Sequence, residues 1–241
     1  MAQNIYQKNI DPTKVRLMNN FVLVKPTRAH NELDMSNGEK LFIDPSFDKE
    51  KHAPTSGVVV NVPEKLYFGR NQSNTNEYDV DMELQVGDTI VFHFLTYQTC
   101  IDRKWFMVLD NELYLMVKYD CIFIARRKDK VIPINGWVVV EPLVETIETT
   151  IELPDHIKNK SSLTKGIVKY LGSPVRNYSW DFDHKSKYGA DTDEIKVGDT
   201  VMFSAEDSIP LQYEMHAIID KGTELYRMHR KDIFLLDNVI A

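Results

Sequence analysis

Residues Glu112–Asp120 read ELYLMVKYD, and residues Glu224–Asp232 read ELYRMHRKD. Their Glu, Leu, Tyr, Met and Asp positions are identical, which raises the question of whether the chain is one fold or the same fold written twice. Working outward, NNFVLVKP, ending at Pro26, matches NGWVVVEP, ending at Pro142. SGVVVNV around Gly57 matches KGIVKYL around Gly166, and QVGDTIVF at Gly87 matches KVGDTVMF at Gly198. Phe21 and Trp137 stand 116 positions apart, the second pair of blocks 109, the third 111 and the two glutamates 112. Blocks that recur in one order at nearly constant spacing are the mark of a tandem duplication. The 241 residues then divide into an N-terminal extension 1–14, a first repeat 15–127 and a second repeat 128–241, with residues 126–130 as the junction. Each repeat is long enough to bury a core. The drop in spacing from 116 to 109 places an insertion after Pro26, so this stretch and its counterpart after Pro142 read as loops.

The shared blocks FVLVKP, GVVVNV, TIVFHF and LYLMVK are short, rich in β-branched and aromatic residues, and bounded by Gly, Pro, Asn or Asp. They predict strands, and no stretch of comparable length has a helical period. In VGDT the Gly accepts positive φ and the Asp side chain caps backbone amides, which makes a tight turn before a strand resumes. The expected fold class is all-β, with each repeat a small, partly open β-barrel. Leu113, Tyr114 and Met116 are expected in the closing strand and core, and Asp120 in a turn.

Composition excludes several functions. A net charge of -7 is wrong for a duplex nucleic-acid binder, which relies on a basic surface to neutralise phosphates. The basic cluster Arg126, Arg127 and Lys128 falls between the repeats and reads as a solvated linker. No apolar run approaches the roughly 18 residues of a membrane span, and the polar N-terminal stretch carries no signal-peptide core. No membrane partner and a cytoplasmic location are therefore expected. Cys100 and Cys121 form no CxxC pair, and Cys121 sits in an apolar run as a small hydrophobe. The seven histidines show no HExxH spacing, the DFDH and DTDE stretches lack an EF-hand's Gly and distal Glu, and no GxSxG or phosphate-binding Gly-rich loop is present. No metal, cofactor, nucleophile or catalytic base is nominated, and the chain is not expected to be an enzyme.

In their order, NNFVLVKP, LFIDP, SGVVVNV, LQVGDTIVF and ELYLMVKYDCIFI resemble the GroES-type co-chaperonin family, and NGWVVVEP, IELP, KGIVKYLG, IKVGDTVMF and ELYRMHRKDIFLL repeat the resemblance. It covers roughly Val15 to Arg126 and Val131 to Asn238. GroES-like barrels also open the medium-chain alcohol dehydrogenases, but a nucleotide-binding βαβ domain follows there and a second barrel-like repeat follows here. The resemblance implies a ring of this chain that caps a chaperonin, the ATP being bound by the partner, and so assists protein folding. It also implies a long loop whose apolar residues dock on the chaperonin. By position these are Leu41, Phe42 and Ile43 in the first repeat, and Ile151 and Leu153 in the second. Each docked aliphatic or aromatic side chain would contribute roughly 1.5 to 3 kcal/mol before the cost of ordering the loop. A ring presenting several loops would add avidity. Against this, LFI and IELP also describe strands packed on their own barrel.

The chain departs from the family pattern in its duplication, in the absence of a Gly directly before LFI, and in its longer roof-hairpin regions. Those regions carry Tyr67, Phe68, Tyr178, Trp180 and Phe182, together with Tyr78 and Tyr188. They would line a ring opening, contact another protein, or form a solvated hairpin with its own aromatic cluster. Two expectations follow. One is a tandem co-chaperonin, with a phage-encoded form among its variants. The other is a structural ring or adaptor, such as a phage neck or tail component in the virion, that keeps the barrel without binding a chaperonin.

Overall fold

The computed structural model describes residues 11–27, 32–34, 40–42, 53–71, 74–77, 82–146, 159–173, 194–204, 209–210 and 224–237. The fold is all-β, built on two antiparallel sheets. The described residues up to Asn135 form one unit and those from Gly136 a second.

The first unit contains β1 (Phe21–Pro26), β2 (Glu32–Asp34), β3 (Lys40–Phe42), β4 (Ser56–Asn61), β5 (Tyr67–Asn71), β6 (Asn74–Glu77) and β7 (Thr89–Phe92). These are followed by α1 (Phe94–Asp102), β8 (Phe106–Leu109), β9 (Glu112–Lys118), β10 (Ile122–Arg127) and β11 (Lys130–Pro133). Its main sheet runs β11-β10-β7-β4-β1-β9-β8, while β2 pairs with β3 and β5 with β6. The second unit contains β12 (Trp137–Thr146), β13 (Asn159–Leu171), β14 (Thr200–Phe203), β15 (Ile209–Pro210), β16 (Tyr226–His229) and β17 (Ile233–Asp237), in the order β15-β16-β12-β13-β14-β17.

The central strands of the two sheets follow the same order, and their registers agree residue by residue. Val24 lies opposite Val59 and Pro26 opposite Gly57, after a bulge at Leu23/Val24. Val140 lies opposite Val168 and Pro142 opposite Gly166, after a bulge at Val139/Val140. At both glycines the strands cross too closely for a side chain: a Cβ on Gly57 would come 2.5 Å from Val24 Cγ1, and one on Gly166 would come 2.7 Å from the Glu141 carbonyl oxygen. The Gly-Asp turns also superpose as expected. Gly87 and Gly198 have φ of 92° and 97°, a region open to glycine. The Gly87 N–H donates to the Val59 carbonyl, and that of Gly198 to the Val168 carbonyl, both at 2.8 Å. The Asp88 and Asp199 carboxylates accept from the Gln85 and Lys196 amides.

The stretch that revealed the repeat is itself out of step by one residue. Val117 lies opposite Val22, and Met228 opposite Val138. The structural counterpart of Met228 is therefore Val117, and Met116 corresponds to Arg227. Because side chains alternate along a strand, a one-residue slip exchanges the two faces. Leu115 and Val117 pack in the main core with Val22, Val24, Ile90 and Phe92, and Leu113 packs against them. Tyr114 and Met116, expected in that core, lie on the other face with Leu17, Leu23, Met107 and Leu109. Tyr226 and Met228 do reach the core of the second sheet, beside Val138, Val140, Val168 and Phe203.

Three further expectations are corrected. The stretch after Pro26 contains the β2–β3 pair, and β12 runs past Pro142 to Thr146 against β13, so both loops carry ladder hydrogen bonds. Residues Phe94–Asp102 form a helix whose N-terminus is capped by His93 Nδ1, which accepts from the Leu95 N–H at 3.1 Å. The supposed linker at 126–130 is the end of β10, a turn at Lys128 and Asp129 and the first residue of β11, and the first unit extends to Asn135, past the expected boundary at 127. Arg127 does not reach into solvent as a linker residue would. Its Nε donates to Asp88 Oδ1 at 2.9 Å, and a terminal nitrogen donates to Asp88 Oδ2 and the Glu83 carbonyl, both at 2.8 Å.

Asp88 is only 2% exposed, and removing it would strand the Arg127 guanidinium beside the Gly-Asp turn. Asp88→Ala is expected to lower the unfolding free energy by about 2–4 kcal/mol. Asp199→Ala, which removes a turn hydrogen bond alone, is expected to cost about 1 kcal/mol. Urea denaturation of the two variants checks this; equal losses would mean that the Arg127 pair adds nothing.

Candidate functional site

The sequence points to partner-binding loops and aromatic hairpins. The first loop lies between β1 and β4 and contains the β2–β3 ladder, in which Leu41 pairs with Leu33, Phe42 with Glu32 and Lys40 with Asp34. Two of the nominated anchors, Leu41 and Phe42, thus sit on one short strand of a local two-stranded sheet. Ile43 lies outside the described residues, as do Ile151 and Leu153 of the second repeat. The stretch that carries Ile151 and Leu153 joins β12 to β13, the place the first loop holds between β1 and β4. There β12 and β13 pair beyond the Pro142–Gly166 crossing, through Val144↔Ser161, Glu145↔Lys160 and Thr146↔Asn159.

Of the hairpin aromatics, Tyr67 and Phe68 belong to β5, opposite Glu77 and Asn76 of β6. This hairpin stands between β4 and β7, where the roof hairpin was expected, and among the described residues its strands pair with each other alone. Tyr178, Trp180, Phe182, Tyr78 and Tyr188 lie outside the described residues.

The structure also shows polar and aromatic groupings that strand patterns alone did not reveal. In the first sheet Phe21 meets Trp105 edge to face at 5.0 Å, and the Lys118 ammonium stands 5.9 Å from the Phe21 ring and 5.7 Å from the Trp105 ring. In the second, at the same register positions, Trp137 stacks on His229 at 4.1 Å and the buried Arg227 guanidinium lies 5.0 Å from the indole. The alternation of β1 with β9, and of β12 with β16, brings each cation to its aromatic partner. A signal for this existed in the paired Phe21/Trp137 and Lys118/His229 positions, but the one-residue slip hid it.

Both thiols are free. Burial pushes Cys100 up to about 12, with the neighbouring Cys121 adding to it, and burial followed by the Asp120 charge pushes Cys121 up to about 11. Groups held so strongly in the thiol form are poor nucleophiles at neutral pH. Among the described residues no cluster of His, Cys, Asp or Glu could hold a metal ion, and no helix is long and apolar enough to cross a membrane. The backbone places apolar and aromatic residue types, Leu41, Phe42, Tyr67 and Phe68, on short strands, which suits binding. Neither a protein-family model nor a curated protein sequence matches the chain.

Because folding raises both thiol pKa values, it binds protons that the unfolded chain releases once pH passes the ordinary thiol value of 9.0. Thiol-linked stability is therefore complete below that pH and falls as pH rises toward the folded values. At pH 8 a thiol-modifying disulfide reagent is expected to label neither cysteine in the native protein and both in urea. Rapid native labelling would show that these thiols are reactive.

Proposed function

We propose that the chain is a tandem co-chaperonin of the GroES type, assembled as a ring that caps an ATP-driven chaperonin through apolar loop residues. Each sheet curls into a partly open barrel on this reading, and the loops between the first two central strands of each repeat carry the contact. The observation that supports it most is the position of Leu41 and Phe42. They lie on a strand that, among the described residues, pairs only with its own hairpin partner, outside the seven-stranded sheet, in an insertion between β1 and β4. Such a segment contributes little to the main sheet's hydrogen bonding and is available to a partner.

The binding would be built from weak repeated contacts. One loop offers a few apolar side chains, each contributing about 1.5 to 3 kcal/mol before ordering costs. Linked copies raise the effective concentration of every later loop. Capping would then be tight as an assembly and releasable loop by loop, as the partner's ATP cycle requires. The acidic net charge of -7 fits a protein partner and disfavours nucleic acid.

Phe42→Asp is expected to abolish capping in a pull-down with chaperonin and ATP and to remove assisted refolding, with the far-ultraviolet spectrum and assembly mass unchanged. Unchanged capping would remove this residue from the contact. Electron microscopy of the mixture separates the alternative: rings that never cap a chaperonin would favour the structural ring or adaptor.

A further inference from the structure

The second sheet continues past the Pro142–Gly166 crossing in a way the first does not. In the first repeat the crossing closes on Thr27, whose N–H and Oγ1 both donate to the Ser56 carbonyl, at 2.9 and 3.0 Å, and the β2–β3 pair forms a sheet of its own. In the second, β12 and β13 resume pairing through Val144↔Ser161, Glu145↔Lys160 and Thr146↔Asn159. The result is an arm continuous with the main sheet, and the residues between Thr146 and Asn159 include Ile151 and Leu153. Between the crossing and the arm, Leu143 alone on β12 stands against Ser162–Lys165 on β13. Unequal strand lengths interrupt the ladder, so the arm's direction depends on what holds its base.

Two serines hold it. Ser162, which is buried, folds the bulge: its Oγ accepts from the Thr164 N–H at 3.3 Å and the Lys165 N–H at 3.1 Å. Ser161, the first residue of the arm on β13, donates from its Oγ to Glu224 Oε2. The other carboxylate oxygen, Glu224 Oε1, accepts from the Tyr226 hydroxyl at 3.0 Å. Tyr226 in turn belongs to the core, where its ring meets Phe203 edge to face at 6.3 Å. Burial, followed by the bond to Glu224 and its charge, pushes the Tyr226 phenol up to about 12, so its hydroxyl remains a donor at neutral pH. A chain of contacts thus runs from the core through Tyr226 and Glu224 to the base of the arm.

The twin glutamate serves elsewhere. Glu112 forms an ion pair with Lys25 of β1 at 3.0 Å, with both side chains half exposed. Leu115 lies opposite Val24 and Tyr226 opposite Val140, so the counterpart of Glu224 in the first sheet is Leu113, which packs against the core. Where the first sheet has Leu113 and Leu115, the second has a carboxylate and a hydroxyl that bond to each other, and the carboxylate also takes the Ser161 hydroxyl. None of the three groups is left unsatisfied, as polar groups at a core margin require.

We propose that Glu224 is a positioning residue for the second loop: its carboxylate clamps Ser161 to Tyr226 and fixes the β12–β13 arm in a direction that serves docking. Hydrogen bonds to a charged acceptor are stronger than those between neutral groups, so a single carboxylate can hold the base. An arm already ordered in the free chain removes part of the entropy cost of binding a partner. The two loops thus leave their sheets differently, the first through a separate two-stranded ladder and the second from a held base. The docking part rests on the proposed function, whereas the clamp stands on the contacts of the second sheet alone.

Hydrogen exchange of the full chain, read by mass spectrometry, tests the clamp with Ser161→Ala, which leaves Tyr226 paired with Glu224 and so spares the core. The amides of residues 144–146 and 159–161 are expected to exchange about tenfold faster or more, with those of Val168 and Gly198 unchanged. Glu224→Ala combined with Tyr226→Phe, which strands no buried hydroxyl, is expected to match it. Ser161→Thr keeps a hydroxyl and is expected to restore wild-type exchange. In a titration with chaperonin and ATP, Ser161→Ala is expected to weaken capping about threefold or more and Ser161→Thr to restore it. Unchanged arm exchange, or equal acceleration at Val168 and Gly198, overturns the clamp. Faster arm exchange with capping unchanged overturns the positioning role. A wild type that never caps removes the chaperonin reading, and the arm exchange of Ser161→Ala then decides the clamp by itself.

Discussion

Strand β1 is hydrogen-bonded along both edges, and the register of those two ladders decides which side chains of β4 and β9 reach the core. The bulge at Leu23/Val24 sets the register of the β1–β4 ladder, because an extra residue in one strand re-aims everything beyond it. Past the bulge, Pro26 meets Gly57, and the absence of a side chain at Gly57 lets the strands cross. The second sheet repeats the device at Val139/Val140 and Gly166. From this crossing the Gly-Asp turns follow, since their amides are stitched to Val59 and Val168 of the crossing strands. Strands β1, β4 and β7, and their counterparts β12, β13 and β14, are thus tied to one irregularity that both repeats keep.

On this shared frame the units differ at the margins, and those differences follow from what surrounds each sheet. The first has α1 and β8 beside β9, which bury Cys100 and the second-face cluster of Leu17, Leu23, Met107 and Leu109. It also closes the Asp88 turn with Arg127, a residue supplied by the far end of β10. In the second sheet Asp199 keeps the turn hydrogen bond from Lys196. A carboxylate as deeply buried as Asp88 needs its guanidinium partner, so the hairpin that positions Arg127 stabilises the turn as well as the edge.

The strand blocks were legible in the sequence because β-branched runs such as FVLV and GVVV, bounded by Pro, Asn or Gly, have few other homes. The Gly-Asp turn was legible because positive φ and side-chain capping need those residue types. The helix Phe94–Asp102 was not: it is nine residues long and is capped by His93, a weak start signal. The slip between ELYLMVKYD and ELYRMHRKD was invisible because identity carries no information about which face a strand residue occupies. Of the candidate site, the sequence located the loop and hairpin insertions, and the backbone assigns Leu41, Phe42, Tyr67 and Phe68 to short strands. The stretches KVRLM and KVIPI escaped notice because they share only Lys and Val, and their likeness emerges once β11 is seen to cover β10.

The stretches that lead into β1 and β12, Lys14–Met18 and Lys130–Ile134, also differ in the way their surroundings demand. Strand β11 is tethered to β10 through the short turn at Lys128 and Asp129, so its effective concentration is high and its pairing forms within one chain at any dilution. It can carry Ile132 and Ile134 because they are never left uncovered. Lys14–Met18 is held differently: Leu17 packs with Leu23, Met107 and Leu109, while Met18 is exposed. At the positions of Ile132 and Ile134 it has Arg16 and Met18, a charge and a flexible thioether that tolerate water, and Asn61 fastens its inner side through the Val15 carbonyl.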